Sequence, residues 1–305
     1  MGTVVPIRGP EPVALGEAVR TYLTVGLAGR EHDATRRVFG GILRRLVAEF
    51  GEAAPVTGLY PDAVAAWFTS QWAGRAPSTW NVSLDAIRRA GVYWQAQGWT
   101  ADDPAVRLRH RRVAEDRSRA MSRAEIGELL TREDTGLRER TLWRMLYETA
   151  ARSAEVLSLD VQDLDPPNRR APVRRKGGAV DVIIWQTGTA RLLPRLLRGR
   201  STGPVFVTAR RARVELPAAD LDPDGHARLS YQQAEALFKA ASGGKTLHQL
   251  RHSALTHAAE DGVSTPMLMA RSGHTSVRSL VRYARVSAEA LARHQAEHDP
   301  ARRRY

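Results

Sequence analysis

The chain has 305 residues, of which 43% are hydrophobic and 26% charged. This balance is typical of a folded globular protein and excludes a disordered or collagen-like chain. The 46 lysines and arginines outnumber the 33 aspartates and glutamates, which gives a formal net charge of +13 and favours a polyanionic partner such as nucleic acid.

The chain contains no cysteine, so disulfides, thiolate metal sites and cysteine nucleophiles are excluded. Lysine is rare, with Lys176, Lys239 and Lys245 as the three examples among 46 basic residues. The sequence has neither a signal-peptide pattern nor an apolar run of membrane-spanning length. We therefore expect a cytoplasmic protein without a membrane partner.

The first part of the chain is predicted to be a small helical domain over residues 15–105. Residues 1–14 carry three prolines without periodicity and are interpreted as a flexible lead. Apolar residues then recur at steps of three and four from Leu15 to Phe50, as on one face of a helix. Further helices are predicted over Pro61–Trp72 and Ser78–Gln97.

A basic linker is predicted over residues 106–120, which are rich in arginine and lack apolar periodicity. Ser122 and Glu125 then form a capping-box pattern, so a second domain begins with a helix. Helices are also predicted over Leu137–Thr149 and Ala154–Leu159.

Further along the second domain, the spacing of apolar residues no longer fits a helix and instead indicates β-strands. Val180–Trp185 and Val205–Val207 are predicted as short strands, the first leaving a tight turn. From Ser230 the pattern is helical again. The fold class is therefore mainly α, with a helical N-terminal domain and a mixed, mostly α second domain over 121–286 that carries a small antiparallel β-hairpin.

Candidate catalytic side chains concentrate on the last helices of that domain. Thr246 is predicted to cap a helix on which His248, Arg251 and His252 share one face. Gly273 is predicted to end the following helix in the left-handed conformation. His274 then lies at the break, and Tyr283 flanks the apolar stripe of the next helix.

These spacings resemble those of the tyrosine recombinase, or phage integrase, family. His248-x-x-Arg251, Gly273-His274 and a tyrosine nine residues after His274 match its C-terminal motifs. The segment from Arg152 resembles its first arginine motif, R-x-x-E-x-L-x-L, and Lys176 matches the position of its hairpin lysine. The resemblance implies a catalytic domain, a preceding core-binding domain that clamps DNA, and six catalytic residues: Arg152, Lys176, His248, Arg251, His274 and Tyr283.

The six residue types suit attack on a phosphodiester. Guanidinium groups bind non-bridging phosphate oxygens bidentately and never lose their charge, which fits Arg152 and Arg251. Tyr283 would form a covalent 3′-phosphotyrosine link, while Lys176 would protonate the leaving 5′-oxygen. His248 would accept the tyrosine proton and His274 would hydrogen-bond the phosphate. No metal, nucleotide or other cofactor is expected.

Other residues are expected to support these groups. Glu155 and His252 are predicted to lie behind the catalytic residues, with Glu155 orienting an arginine or Lys176. Two departures from the family pattern lie nearby, because Ala150 stands in a turn where a glycine is usual and Ser272 replaces a usual leucine. Five arginines are predicted to contact DNA phosphates: Arg109, Arg111, Arg112, Arg174 and Arg175.

The expected partner is a double-stranded DNA recombination site. The resemblance implies a homo-oligomer, with a dimer on one site and a tetramer in synapsis. Residues 287–305 form a C-terminal tail whose helix is a candidate for docking on a neighbouring protomer. Accessory proteins remain undefined.

Several alternative functions compete with this interpretation. The pair His248 and His252 has the spacing of a zinc helix, but Gln249 occupies the place of the catalytic glutamate of a metalloprotease. A phosphohistidine phosphatase motif would follow a strand, whereas Arg251 and His252 are predicted within a helix. A type IB topoisomerase uses the same chemistry, and a DNA-binding protein that kept this fold without catalysis is the main non-enzyme alternative.

Overall fold

The computed structural model describes residues 12–29, 33–113, 120–175, 178–274, 276–280, 288–297 and 299. The chain divides into two compact units, residues 1–115 and 116–305, and the division falls inside the predicted linker. Within the described ranges, no helix is both long enough and apolar enough to cross a membrane.

The first unit is helical, as the apolar periodicity predicts. Its helices are α1 (Leu15–Thr21, continued by a π-helical turn over Tyr22–Gly26), α2 (Asp33–Phe50), α3 (Pro61–Trp72) and α4 (Pro77–Ala96). Pro61 and Pro77 begin their helices, where a missing backbone N–H is tolerated because the first turn has no intrahelical acceptor for it.

Aromatic side chains fill much of the core of this unit. Trp94 is fully buried, and its indole N–H donates to the carbonyl of Ala18 at 3.1 Å, which joins α4 to α1. Phe68 packs between Trp72 and Trp80, with ring centroids 4.6 and 4.7 Å away. The core thus buries the apolar surface of Trp94 while giving its indole N–H a hydrogen-bond acceptor.

The segment predicted as a linker from residue 106 onward differs from that expectation. Leu108 is buried in the first unit, and the indole N–H of Trp80 donates to the carbonyl of Arg109 at 2.9 Å. The side chain of Asn81 exchanges two hydrogen bonds with the backbone of Arg111. Residues 106–113 are therefore part of the first unit. Their hydrogen-bond partners lie on α4, so the sequence of the segment alone does not reveal them.

The second unit combines helices with two small antiparallel strand pairs. Its helices are α5 (Arg123–Thr131), α6 (Leu137–Thr149), α7 (Ser153–Leu157), α8 (Thr187–Leu197), α9 (Tyr231–Ala241), α10 (Leu247–Glu260), α11 (Thr265–Ser272), α12 (Val277–Leu280) and α13 (Ala288–Glu297). Its strands are β1 (Arg170–Arg174), β2 (Val180–Ile184), β3 (Val207–Arg211) and β4 (His226–Arg228), where β1 pairs with β2 and β3 with β4. The predicted fold class is confirmed.

Local signals set most of the helix ends near the candidate site. The hydroxyl of Ser122 accepts the N–H of Glu125, while the Glu125 carboxylate accepts the N–H of Ser122, as the capping-box pattern predicts. Thr246 caps α10 through the N–H of Gln249. Gly273, with φ +62°, ends α11 in the left-handed conformation.

One strand lies elsewhere than predicted. The expected strand at Val205–Val207 is displaced, because Val205 and Phe206 are buried in the core and β3 begins at Val207. The hairpin of β1 and β2 has the register Arg170 opposite Ile184 and Arg174 opposite Val180. Its connecting turn contains Lys176 and Gly177, which are outside the described residues.

Candidate active site

Several of the predicted catalytic residues lie on or next to helices α7, α10 and α11 of the second unit. Arg152 precedes α7, Arg251 lies on α10, and His274 follows the last residue of α11 by two positions. Lys176 and Tyr283 fall outside the described residues, so their placement remains a prediction from the sequence.

Arg251 is the most enclosed of these side chains, with 4% of its surface exposed. Its Nη1 donates to the carbonyl of Ala150. Its Nη2 donates to the carbonyl of Ser272 at 2.7 Å. Both carbonyls belong to helix C-termini, where carbonyl groups lack intrahelical partners and carry partial negative charge. These two bonds fix the guanidinium plane relative to α6 and α11.

Arg152 is bound by Glu155, the glutamate that the sequence analysis expects to orient an arginine or Lys176. The buried carboxylate of Glu155 accepts the backbone N–H of Arg152 at 2.8 Å and its Nη1 at 2.8 Å. The side chain of Arg152 stays 39% exposed. One nitrogen of the guanidinium group is thus held by Glu155, while part of the side chain remains accessible to an anion.

Arg175 does not have the surface position expected of a phosphate contact, since it is 8% exposed. Its Nη1 donates to Glu155 at 2.8 Å and to the carbonyl of Ser272 at 3.4 Å, while its Nε donates to Asp181 at 3.1 Å. Two carboxylates compensate the buried charge. Arg175 therefore joins the hairpin turn to α7 and α11, and a role as an exposed DNA contact is corrected.

The absence of a side chain at Gly273 makes room for this arginine. A Cβ at position 273 would lie 2.5 Å from Cζ and Nε of Arg175 and 2.8 Å from its Nη1. The positive φ of Gly273 independently disfavours a larger residue. The glycine before His274 thus serves both the helix end and the close approach of a cation.

His274 is held by the residue that ends α11. Its Nδ1 lies 2.6 Å from the hydroxyl oxygen of Ser272, and Ser272 is fully buried. The same hydroxyl donates to the carbonyl of Leu268 at 2.6 Å. Ser272 thus contacts Arg175, Arg251 and His274. The sequence analysis noted a serine where a leucine is usual in the family, but it did not predict these contacts.

The two other histidines lie on α10 with Arg251. His248, the second residue of the helix, is exposed, whereas His252 is half-buried. Among the described residues, no group of three or more His, Asp or Glu side chains is arranged to hold a metal ion. Arg251 thus shares α10 with two imidazole groups.

The remaining arginines predicted to contact DNA have different surroundings. Arg174 is exposed at the end of β1, and Arg109 and Arg112 are exposed in the first unit. Arg111 is half-buried: its guanidinium lies 3.7 Å from the ring centroid of Trp80 and donates to the carbonyl of Ala73 at 2.8 Å. Arg111 is thus partly committed to the fold of its own unit.

Comparison with known proteins adds independent evidence. The sequence pattern of the phage integrase family matches residues 119–290. Tyrosine recombinase XerC of Mycobacterium sp. (strain KMS) is 27% identical over 304 residues, covering 93% of this chain and 97% of the relative. Tyrosine recombinase XerC of Mycobacterium tuberculosis (strain ATCC 25177 / H37Ra) is 30% identical over 282 residues, covering 88% and 92%.

The fold is also similar to that of a solved DNA complex. A lambda integrase (75–356) dimer bound to a COC′ core site aligns with a TM-score of 0.70 and 13% sequence identity, covering 90% of this chain and 97% of that one. At this identity the similarity concerns the fold, and it extends over both units.

The close approach at Gly273 can be tested by two glycine substitutions. Gly273→Ala and Gly199→Ala each place a methyl group on a left-handed residue, at φ +62° and +82°, which costs about 1–2 kcal/mol. Apart from the residues next to Gly199 in the chain, no described residue has an atom within 4 Å of a Cβ at position 199. Gly273→Ala should lose about 1–3 kcal/mol more, because Arg175 must move. Denaturant unfolding measures both, and equal losses would contradict the packing role.

Proposed function

Since the chain belongs to the phage integrase family and is a tyrosine-type site-specific recombinase, we propose that it cuts and rejoins DNA strands through a covalent link between Tyr283 and a 3′-phosphate. The observation that carries the proposal is the anchoring of two arginines at one place. Arg251 binds the carbonyl of Ala150, two residues before Arg152, while Glu155 orients Arg152 itself. Such a pair suits the two non-bridging oxygens of one phosphodiester.

The arginines stabilise the charge that develops on the phosphate during attack. Arg251 is buried, so its interaction with a bound phosphate is weakly screened by water, and its anchored geometry requires no reorganisation at the moment of reaction. The exposed part of the Arg152 guanidinium supplies the second group of N–H donors for the phosphate.

The reaction balances without a metal or nucleotide. The Tyr283 oxygen attacks phosphorus, its proton passes to His248, and a bond between the tyrosine and the 3′-phosphate forms as the bond to the 5′-oxygen breaks. Lys176 protonates that leaving oxygen. Attack by the 5′-hydroxyl of another strand reverses these steps and rejoins the DNA. The covalent bond conserves the energy of the original phosphodiester.

Double-stranded DNA is the proposed partner, and the cytoplasm is then the expected compartment. Support comes from the net charge of +13 and from solved integrases of this fold that were captured on DNA. Exposed arginines at positions 109, 112 and 174 are proposed to contact phosphates, which provide affinity but no sequence information. Base readout is assigned to neither unit.

The covalent step is tested by a nicked suicide substrate that prevents rejoining. Wild-type protein should accumulate a covalent DNA adduct, visible on denaturing gels, and Tyr283→Phe should bind DNA but form none, since it lacks the attacking oxygen. Tyr231→Phe, which alters an exposed tyrosine of the same unit, should trap DNA normally. An adduct with Tyr283→Phe would show that another residue is the nucleophile.

The role of Lys176 is tested with a substrate whose leaving group is a 5′-thiolate. Lys176→Ala should lose cleavage of ordinary DNA but recover on the thiolate substrate, because a thiolate leaves without a proton. Lys245→Ala is the matched control and should cleave both substrates. If Lys176→Ala fails equally on both substrates, the lysine does not act as the general acid.

The assembly is proposed to be a dimer on one site and a tetramer in synapsis, coupled by the C-terminal tail. Within residues 287–305, helix α13 is described over Ala288–Glu297, with Leu291 51% exposed. The proposal places this helix on a neighbouring protomer, where it would link the copies of a symmetric assembly. The basic residues at 302–304 offer the competing role of a phosphate contact.

Two truncations separate these roles of the tail. A chain ending at Val286 should bind one half-site nearly normally but lose cooperative occupancy and recombination. A chain ending at Asp299, which removes only the basic end, should keep both. Gel-shift titrations on one and two half-sites measure the effect. Unchanged cooperativity in the shorter chain would refute the docking role.

A further inference from the structure

We propose that Ser272 is a positioning residue that fixes the tautomer of His274, so that Nδ1 carries the ring hydrogen and Nε2 is the nitrogen that meets the reacting phosphodiester. The catalytic part of this statement rests on the proposed function, whereas the tautomer is a property of the free protein. The inference is carried by the hydrogen bonds around one buried hydroxyl group.

The direction of those bonds follows from the number of hydrogens available. The Ser272 hydroxyl lies 2.6 Å from the carbonyl oxygen of Leu268 and 3.4 Å from that of Met269, and both carbonyls can only accept. Its single hydrogen is therefore used toward the backbone of α11. The contact of 2.6 Å with Nδ1 of His274 then requires the ring to donate and the hydroxyl oxygen to accept.

Burial makes this arrangement the favourable one. Ser272 is fully buried, so no solvent replaces a lost hydrogen bond of its hydroxyl. If the hydroxyl turned its hydrogen toward Nδ1, the oxygens of Ser272 and Leu268 would remain 2.6 Å apart without a hydrogen between them. Such an orientation loses one bond and adds repulsion between two oxygen lone pairs.

The carbonyl of Ser272 binds charged groups that the structure describes. Its carbonyl accepts Nη2 of Arg251 at 2.7 Å and Nη1 of Arg175 at 3.4 Å, while Glu155 and Asp181 bind Arg175. One residue thus orients an imidazole through its hydroxyl and two guanidinium groups through its carbonyl. A leucine, which the family pattern has at this position, could supply the second function but not the first.

The tautomer defines what His274 can do. In the neutral ring Nε2 is an acceptor, so it takes a hydrogen from a neighbour and does not give one. It donates to a phosphate oxygen only when the ring is protonated. The sequence-based expectation that His274 hydrogen-bonds the phosphate therefore applies to its imidazolium form.

Nitrogen-15 NMR of the full-length protein tests the tautomer directly. Histidine labelled at both ring nitrogens gives distinct long-range correlations for the two tautomers, and loss of one set of signals in His274→Gln assigns the ring. Wild-type protein should show hydrogen on Nδ1 of neutral His274. Hydrogen on Nε2 in the wild-type protein would overturn the proposal.

Two substitutions then test the cause. Ser272→Ala removes the acceptor and should shift His274 toward the other tautomer, whereas Ser272→Thr keeps a hydroxyl and should preserve it. Ser253→Ala is the matched control: Ser253 is also fully buried and also bonds the carbonyl four residues earlier, but its oxygen accepts the N–H of Met121 instead of a histidine. An unchanged tautomer in folded Ser272→Ala would overturn the proposal.

Covalent trapping on the suicide substrate connects the tautomer to catalysis. Ser272→Ala should trap DNA on the order of tenfold more slowly, because the His274 ring loses the bond that positions it, and a displacement of about 1 Å can cost up to roughly 10²-fold in rate. Ser272→Thr should recover most of the rate, and Ser253→Ala should not reproduce the loss. A wild-type protein with the expected tautomer that trapped no DNA would support the Ser272 contact and refute the recombinase chemistry.

Discussion

The buried guanidinium of Arg251 joins segments of the second unit that are far apart in the chain. It donates to Ala150, 101 residues away, and to Ser272, 21 residues away. Each acceptor lies at the C-terminal end of a helix, where carbonyls lack partners and the helix dipole is negative. A cation placed between two such ends offsets its desolvation cost, and it fixes the distance between the elements that carry Arg152 and His274.

A second set of interactions extends this arrangement to the hairpin. Glu155 accepts from Arg152 and Arg175, while Asp181 accepts from Arg175 on its other side. The carboxylates neutralise the buried Arg175 more fully than the half-exposed Arg152. Arg175 is therefore committed to the fold, whereas Arg152 stays partly exposed and, together with Arg251, is proposed to bind the phosphate. This division of roles separates a structural cation from two that suit a substrate.

Sequence reasoning succeeded where the signal was local. The starts of α5 and α10 follow from a hydroxyl and a carboxylate or amide three residues later, and the end of α11 follows from one glycine. It failed where a side chain depended on distant partners. Arg175 has the composition of a surface turn, but its partners are 6, 20 and 97 residues away. Likewise, the basic segment around Leu108 has little apolar periodicity. Its backbone is held by hydrogen bonds from Trp80 and Asn81, which its own sequence does not reveal.

The turn before Arg152 illustrates how a departure from the family pattern is accommodated. Ala150 is left-handed at φ 53°, a conformation that disfavours alanine by about 1–2 kcal/mol relative to its usual backbone. Its methyl group is fully buried in a small cluster with Leu255 and Leu268, which contributes about 0.8 kcal/mol.

The remaining difference is offset by the carbonyl of the same residue. It accepts a hydrogen bond from the charged Arg251, and bonds to charged groups contribute about 1.5–3 kcal/mol. The left-handed turn directs this carbonyl toward α10, and Arg152 follows as the residue that caps α7. The backbone strain at Ala150 is thus balanced by the same cation that organises the candidate active site.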